Sequence, residues 1–242
     1  MGIDAAWVVY QNSTMRRHKS LLIELVCGAI VGALCTLIDF RRIHRVPFFA
    51  KDYALLSHGV LFYACLGCWV VFSLYWNIAA KNSAPAKSSE AKASRGVHVF
   101  LANAAMVLIA APIHGLGRFL PASALLMAVG LAIEVAGLSL AIWARRHLGR
   151  NWSGEITIKQ DHQLIQTGPY RYLRHPIYTG LLTMYAGMTL ETGEWLGVIG
   201  LAVAVFAYWR KTRMEEATLG VAFGAEYETY RRDTWAIVPG IF

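Results

Sequence analysis

Charged residues are scarce in this sequence. They make up 16% of its 242 residues, whereas 56% of the residues are hydrophobic, and the mean hydropathy is +0.42. A soluble domain usually carries about a quarter charged residues. The composition therefore excludes a typical soluble domain and predicts an all-α fold, a polytopic transmembrane helical bundle.

Cysteine is also rare, and its positions exclude two kinds of site. The four cysteines, Cys27, Cys35, Cys65 and Cys68, all fall within apolar runs. No histidine accompanies them at the spacing of a zinc site, and a Cys-x-x-Cys pair in lipid has no evident redox partner. We therefore interpret them as small packing residues and expect no metal site.

Acidic residues are fewer than basic ones, 15 against 23, and the net charge is +8. A basic protein could bind nucleic acid, but here the basic residues lie between apolar runs and not on one soluble face. Positively charged loops at a cytoplasmic membrane surface explain this distribution better. No nucleic-acid partner is expected.

The apolar residues form six runs that are candidate membrane spans. Each run is long enough, or nearly so, to cross a hydrocarbon core of about 30 Å. They cover residues 21–38, 54–79, 97–113, 122–143, 176–190 and 195–209. We divide the chain into an N-terminal part, 1–96, which holds two spans and a basic linker, and a second part, 97–242. The second part holds four spans, a polar loop at 144–175 and a predicted C-terminal helix at 212–232.

The distribution of lysine and arginine predicts the orientation. Six spans put both termini on one side, and that side carries 18 of the 23 basic residues. By the positive-inside rule this side is the cytoplasm, so the protein is predicted to be a multi-pass integral membrane protein with both termini cytoplasmic. The basic segment 41–52 is the exception on the opposite side.

The most informative stretch is GPYRYLRHPIY at residues 168–178, which is cationic and aromatic and precedes an apolar run. Pro169 and Pro176 prevent one regular helix across it, and Pro176 is well placed as the first residue of the next helix. His175 would then lie at the N-terminal end of that helix, where free N–H groups favour an anionic group. The alternative is a basic loop that only orients the protein.

The polar tail is the second informative stretch. Leu219, Phe223, Tyr227 and Tyr230 recur at helical spacing and define one face of a helix. Glu215 and Glu216 follow a basic group, which by itself indicates a salt-bridged helix at the membrane surface.

Taken together, these motifs resemble the isoprenylcysteine carboxyl methyltransferase family, whose relatives include phospholipid methyltransferases. The string GPYRYLRHPIYTG is similar to the signature of that family. Further matching segments are LGRNWS at 148–153, DHQL at 161–164, the Glu215–Glu216 pair, FGAEY at 223–227, YRR at 230–232 and Pro239–Gly240. The resemblance covers residues 148–242.

The resemblance implies a membrane methyltransferase that uses S-adenosylmethionine, with residues 97–242 as the catalytic region and a cytoplasmic active site. It implies a lipophilic or prenylated acceptor in contact with membrane lipids, with the carboxylate of an isoprenylcysteine-like substrate as one candidate. The implied cofactor-binding residues are His162, Leu164, Gly168, Pro169, Tyr170, Arg174, His175, Pro176, Tyr178 and Glu216. Arg210 and Glu215 correspond to a catalytic basic–acidic couple.

Two other classes stay open at this point. Sterol reductases have a similar His-Pro-x-Tyr region, so a membrane oxidoreductase that uses NADPH is the alternative enzyme. A non-catalytic scaffold or small transporter is the third interpretation, although a transporter typically shows repeated halves and several ionisable residues within its spans. The sequence does not define the acceptor, the type of atom methylated or the oligomeric state.

Overall fold

The computed structural model describes residues 53–80, 92–110, 116–152 and 163–240, all of which lie within one compact unit, Phe48–Phe242. These ranges hold six α-helices and two short 3₁₀ segments, Gly149–Asn151 and Gly168–Arg171, with two isolated bridges and no extended strand. The helices are α1 (Tyr53–Ala80), α2 (Lys92–Ala110), α3 (Ala124–Leu148), α4 (Pro176–Thr192), α5 (Trp195–Phe223) and α6 (Ala225–Asp233). The predicted all-α fold is confirmed.

Three of these helices are long and apolar enough to cross a membrane, judged by length and composition: Val60–Ala80, Ala93–Ala110 and Ala124–Leu148. On α1 the large side chains of Val70, Leu74 and Ile78 are more than half exposed. Such a surface is costly in water and suits lipid. The chain is therefore an integral membrane protein.

The predicted span 21–38 lies outside the described residues, so the count of six spans stays a prediction.

The C-terminal part is divided differently from the prediction. Helix α5 has 29 residues and continues well beyond the apolar stretch 195–209, so the expected separate helix at 212–232 is mostly its second half. At about 1.5 Å per residue, α5 is roughly 43 Å long and exceeds the hydrocarbon core. The loss of apolar character therefore marks where α5 leaves the membrane and not where the helix ends. The break comes at Gly224, whose φ of +53° favours glycine.

Helices α3 and α4 are antiparallel and their backbones approach closely at four glycines. Gly130 and Gly137 of α3 face Gly187 and Gly180 of α4. A Cβ atom added at any of them would lie 2.5–2.6 Å from a carbonyl oxygen of the facing glycine. The seven-residue spacing on each helix equals nearly two turns and keeps both glycines on one face. Two heptad-spaced glycine pairs therefore let these helices touch.

Several segments that are far apart in the sequence meet at one end of the bundle. Arg145 near the end of α3 donates a hydrogen bond to Ala79 O at the end of α1, at 2.5 Å. Arg210 of α5 donates to Ser94 Oγ near the start of α2, at 2.9 Å. At the opposite end, a bridge joins Arg118 to Glu194. We call the end that holds the Arg145 and Arg210 contacts the polar end. The loop that precedes α4 lies at this end too.

The glycine contact generates a stability prediction. Gly187→Ala places a methyl group 2.5 Å from Gly130 O, so α3 and α4 must separate, and we expect a loss of about 1–3 kcal/mol. Thermal unfolding of the purified protein in detergent measures the change. The matched control is Gly67→Ala on α1, where an added Cβ meets nothing within 4 Å. Equal melting temperatures for the two variants would contradict a glycine-dependent contact.

Candidate functional site

The loop before α4 is seated on the end of α3. Gly168 opens its 3₁₀ turn with a φ of +60°, and a Cβ atom there would lie 2.7–2.8 Å from the ring of His147. The same ring contacts Thr167 Oγ1 through Nε2 at 2.8 Å. Glycine is thus required at position 168 both by backbone conformation and by space. Sequence reasoning missed His147, because its partner lies twenty residues further along the chain.

Arg174 links three segments at the polar end. Its Nε donates to Glu216 Oε1 on α5 at 2.7 Å, and only 5% of its side chain is exposed. Its Nη1 donates to the carbonyl oxygens of Arg231 and Thr234 at the end of α6. Terminal helix carbonyls lack intrahelical partners and carry partial negative charge. The guanidinium therefore caps α6 while it pairs with α5.

His175 lies between the two adjacent carboxylates of α5. Its Nδ1 is 3.6 Å from Glu215 Oε2 and its Nε2 is 3.5 Å from Glu216 Oε1. Its ring stacks on Tyr178 at 5.4 Å between centroids with an angle of 1°. The Tyr178 hydroxyl donates to Glu215 Oε2 at 2.7 Å. One aromatic pair and two carboxylates thus form the core of the candidate site.

The two carboxylates differ in their surroundings. Glu216 is 9% exposed, whereas 32% of the Glu215 side chain is exposed. Burial alone would raise the pKa of the Glu216 carboxyl, but hydrogen bonds and charge from His175 and Arg174 lower that pKa to about 2. Glu216 therefore stays ionised within the protein, while Glu215 is the carboxylate that remains open to a ligand.

The C-terminal segment lies alongside the loop before α4. Arg174 N donates to Trp235 O at 2.8 Å and His175 N donates to Ala236 O at 3.0 Å. The expected free N–H groups at His175 are thus partly used by this segment. With Glu215 and Glu216 next to the ring, the geometry does not support the predicted binding of an anion at this position. The cluster suits a cationic group better.

Two tyrosines of α6 complete the site. Tyr230 donates to Tyr170 O at 2.7 Å. The hydroxyl of Tyr227 is buried and finds no hydrogen-bond partner among the described residues. Burial and the neighbouring charge of Glu216 raise the pKa of Tyr227, so its phenol stays neutral. Helical spacing had placed Tyr227 on the packing face, but nothing in the sequence indicated an unpaired hydroxyl beside Glu216.

The structure gathers most of the predicted site residues at the polar end. These are Gly168, Pro169, Tyr170, Arg174, His175, Pro176, Tyr178, Glu215 and Glu216. Leu164 is half-buried in the extended segment that leads to the 3₁₀ turn, and His162 lies outside the described residues.

The predicted couple of Arg210 and Glu215 is not brought together. Five residues on a helix correspond to about 500°, so these side chains point about 140° apart. Arg210 instead donates to Ser94, and Glu215 accepts from Tyr178.

Comparison with known proteins bears on this arrangement. Residues 125–226 match the family model of phospholipid methyltransferases. The protein-S-isoprenylcysteine O-methyltransferase of Dictyostelium discoideum is 30% identical over 84 residues, which is 34% of this chain and 35% of that protein. A probable protein-S-isoprenylcysteine O-methyltransferase of Oryza sativa subsp. indica is 30% identical over 116 residues, 47% of this chain and 61% of that protein. This chain is therefore similar to phospholipid methyltransferases and to protein-S-isoprenylcysteine O-methyltransferases over its C-terminal part.

The matches to the family are partial in length. This chain spans between about a third and three fifths of the two curated relatives named above. A solved structure of the eukaryotic intramembrane Ras methyltransferase ICMT aligns with a TM-score of 0.45 and 15% identity, over 89% of this chain and 94% of that one. The comparisons give no support to the sterol-reductase alternative.

The paired carboxylate generates a prediction for the pH dependence of stability. The pKa of Glu216 is about 2 in the folded protein and 4.5 as its ordinary value. Its contribution, on the order of 3 kcal/mol, is therefore present above pH 4.5 and is lost as the pH falls toward 2. Chemical unfolding of the wild type in detergent should show this loss. The Glu216→Gln variant should be less stable than the wild type at pH 7. Its free energy of unfolding should change less between pH 4.5 and pH 2.

The matched control for this measurement is Glu228→Gln, because Glu228 has a 58% exposed side chain on α6. We expect its pH profile to follow the wild type. The same acid slope in Glu216→Gln as in the wild type would contradict a buried, ionised pair.

Proposed function

We propose that this protein transfers a methyl group from S-adenosylmethionine to a lipophilic acceptor, and that an isoprenylcysteine-like carboxylate is the acceptor class. The observation that carries the proposal is the contact of Tyr178 and His175 with Glu215. Residues 178 and 215 are 37 apart in the sequence, both lie within the matched family region, and they meet where an apolar bundle becomes polar. The similarity to protein-S-isoprenylcysteine O-methyltransferases supports the same activity.

The chemistry of the donor set fits this cofactor. S-adenosylmethionine carries an ammonium group, a sulfonium centre and ribose hydroxyls, and it supplies an electrophilic methyl group when bound. Glu215 offers a partly exposed carboxylate to an ammonium or hydroxyl group. The stacked rings of His175 and Tyr178 are aromatic groups of the kind that attract cations, and Lys211 Nζ lies 5.9 Å from the Tyr178 ring centroid. Tyr227 adds a hydroxyl without a partner among the described residues.

Glu216 has a supporting role in this proposal. Because it already pairs with Arg174 and is largely buried, it holds the loop against α5 and does not contact the cofactor. This differs from the sequence-based assignment of Glu216 as a cofactor ligand. Glu215 takes that position instead.

The acceptor side is apolar with a cationic rim. A shallow surface depression of about 540 Å³ lies on α3 and is lined by residues of that helix alone, Ser139, Ile142, Trp143, Arg146 and His147. His147 contacts Gly168, so the depression adjoins the loop. Apolar walls suit a hydrocarbon chain, and the basic residues suit an anionic head group.

Alignment is the main task of these residues. A carboxylate acceptor is ionised at neutral pH and needs no general base, so the protein has to orient the reacting groups and exclude water. Arg210 is half-buried on α5 and uses its two terminal nitrogens on Ser94. A guanidinium has five N–H donors, so donors remain for a carboxylate at this end of the bundle.

The direct test uses the purified protein in nanodiscs with a methyl-labelled cofactor. We offer a farnesylated cysteine with a free carboxylate and, as the matched control, the same compound as its carboxamide. Label should enter the carboxylate compound alone, since the amide oxygen is a poor nucleophile. A parallel incubation with total lipid detects any other acceptor.

Two results would contradict the proposal. One is the absence of label in every acceptor together with unchanged thermal stability in S-adenosylhomocysteine. The other is thermal stabilisation by NADPH and not by S-adenosylhomocysteine, which would favour the reductase class.

Substitution of Glu215 and Arg210 tests their roles. Glu215→Gln removes the charge that faces the ligand, so kcat/KM should fall by about 30- to 1,000-fold, as expected for a loss of about 2–4 kcal/mol. Arg210→Ala should lower kcat while it spares cofactor affinity, and Arg210→Lys should recover only part of the rate. Glu228→Gln serves as the control with normal turnover. Near-normal turnover in Glu215→Gln and Arg210→Ala would remove both from the catalytic machinery.

A further inference from the structure

Three buried side chains that the methyl-transfer site does not use meet inside the bundle. Cys65 comes from α1, Glu134 from α3 and Glu191 from α4. The ligand atoms of the three residues, one thiol and two carboxylates, all lie within 4.8 Å of one another. Glu134 and Cys65 are fully buried, and Glu191 is 3% exposed.

The Cys65 thiol is the one polar neighbour among the described residues that the two carboxylates share. No nitrogen or oxygen donor among residues 53–80, 92–110, 116–152 and 163–240 reaches any of the four oxygens of Glu134 and Glu191. An unpaired ionised carboxylate in an apolar interior is very costly, and a second one beside it increases the cost. The pair therefore requires either protons or a cation.

The glycine contact between α3 and α4 fixes this arrangement. A Cβ atom added at Gly187 would lie 3.1 Å from Glu134 Cβ, and one added at Gly130 would lie 3.2 Å from Glu191 Cβ. The carboxylates therefore lie next to the glycine contact between these helices. Their proximity is a consequence of backbone packing, and rotation of one side chain does not remove it.

We propose that Cys65, Glu134 and Glu191 form a binding site for a divalent metal ion of the zinc type. Cys65 binds such an ion as a thiolate after losing its proton, so a divalent cation reduces the charge of the three ligands from three negative charges to one, which lowers the cost of burying them. The thiol favours zinc over magnesium or calcium, which prefer oxygen ligands alone. Zinc takes sulfur at about 2.3 Å and carboxylate oxygen at about 2.0–2.2 Å, and donor atoms within 4.8 Å of one another can reach these distances through small side-chain rotations.

The proposed metal site is structural and separate from methyl transfer. Glu191 lies 16 residues after His175 on α4, which corresponds to about 24 Å along a helix. The ligands of the metal site come one each from α1, α3 and α4. A bound ion would therefore hold these three helices together at the end of the bundle opposite to Glu215. The same distribution explains why the sequence predicted no metal site, since ligands on separate helices leave no short spacing pattern.

The test measures metal bound to the protein, purified in detergent with a tag that contains no histidine. Wild type should bind one zinc ion per chain after equilibration with zinc and removal of the excess, as measured by elemental mass spectrometry. Glu134→Gln, Glu191→Gln and Cys65→Ser should each weaken zinc binding by more than about 10-fold. Glu228→Gln removes an exposed carboxylate and should bind zinc as the wild type does.

Cobalt provides a second measurement that depends on the thiol. Co²⁺ in the wild type should give a sulfur-to-metal charge-transfer band in the near ultraviolet, and Cys65→Ser should abolish it. Zinc should also raise the melting temperature of the wild type, whereas magnesium at the same concentration should not.

These measurements separate a metal site from a pair of protonated carboxylic acids. Equal zinc content in the wild type, Glu134→Gln and Glu191→Gln would overturn the proposal, as would zinc stabilisation that persists in Cys65→Ser. Glutamine has nearly the same shape as glutamate and removes a buried charge, so these variants should fold. If one of them does not, the remaining glutamine variant and Cys65→Ser carry the same test.

Discussion

The candidate site depends on the guanidinium of Arg174. It pairs with Glu216 on α5 and donates to the carbonyls of Arg231 and Thr234 at the end of α6, so one side chain holds the loop and both C-terminal helices. Desolvation of a buried ion pair is costly unless its remaining donors are also satisfied. Here the helix-end carbonyls satisfy them. Glu216 is thereby fixed on one side of His175, and this leaves Glu215 and Tyr178 to face a ligand.

A second constraint sets how α4 approaches the rest of the bundle. The paired glycines of α3 and α4 bring the two backbones into contact, and close approach of this kind replaces the hydrophobic driving force that is absent between helices in lipid. Helix α4 begins at Pro176, directly after His175. The distance at which α4 packs against α3 therefore also sets the position of His175. The contact of Gly168 with the ring of His147 holds the loop before α4 against α3 as well.

The sequence predicted the features that depend on local chemistry. Pro176 begins α4 as expected, and the apolar runs at 54–79 and 195–209 lie within α1 and α5. Hydropathy did not locate the end of α5, because a helix that leaves the membrane loses apolar residues without losing its hydrogen bonds.

The sequence pattern also did not show that the side chains of Arg210 and Glu215 point in different directions, since that depends on helical phase. The contacts of Glu216, His147 and Tyr227 involve partners from other parts of the chain, which one sequence without covariation does not reveal.

The two pairs of glutamates show how the surroundings of a carboxylate decide its chemistry. Glu215 and Glu216 lie beside Arg174, His175 and the Tyr178 hydroxyl, so the protein supplies hydrogen-bond donors to both carboxylates. Glu134 and Glu191 lie among helices that supply no such donor within the described residues. The first pair can therefore attract a cationic ligand while both carboxylates keep their partners in the protein. The second pair can remain charged only if a positive ion enters with it, and a bundle that keeps both carboxylates at one glycine contact retains a place for that ion.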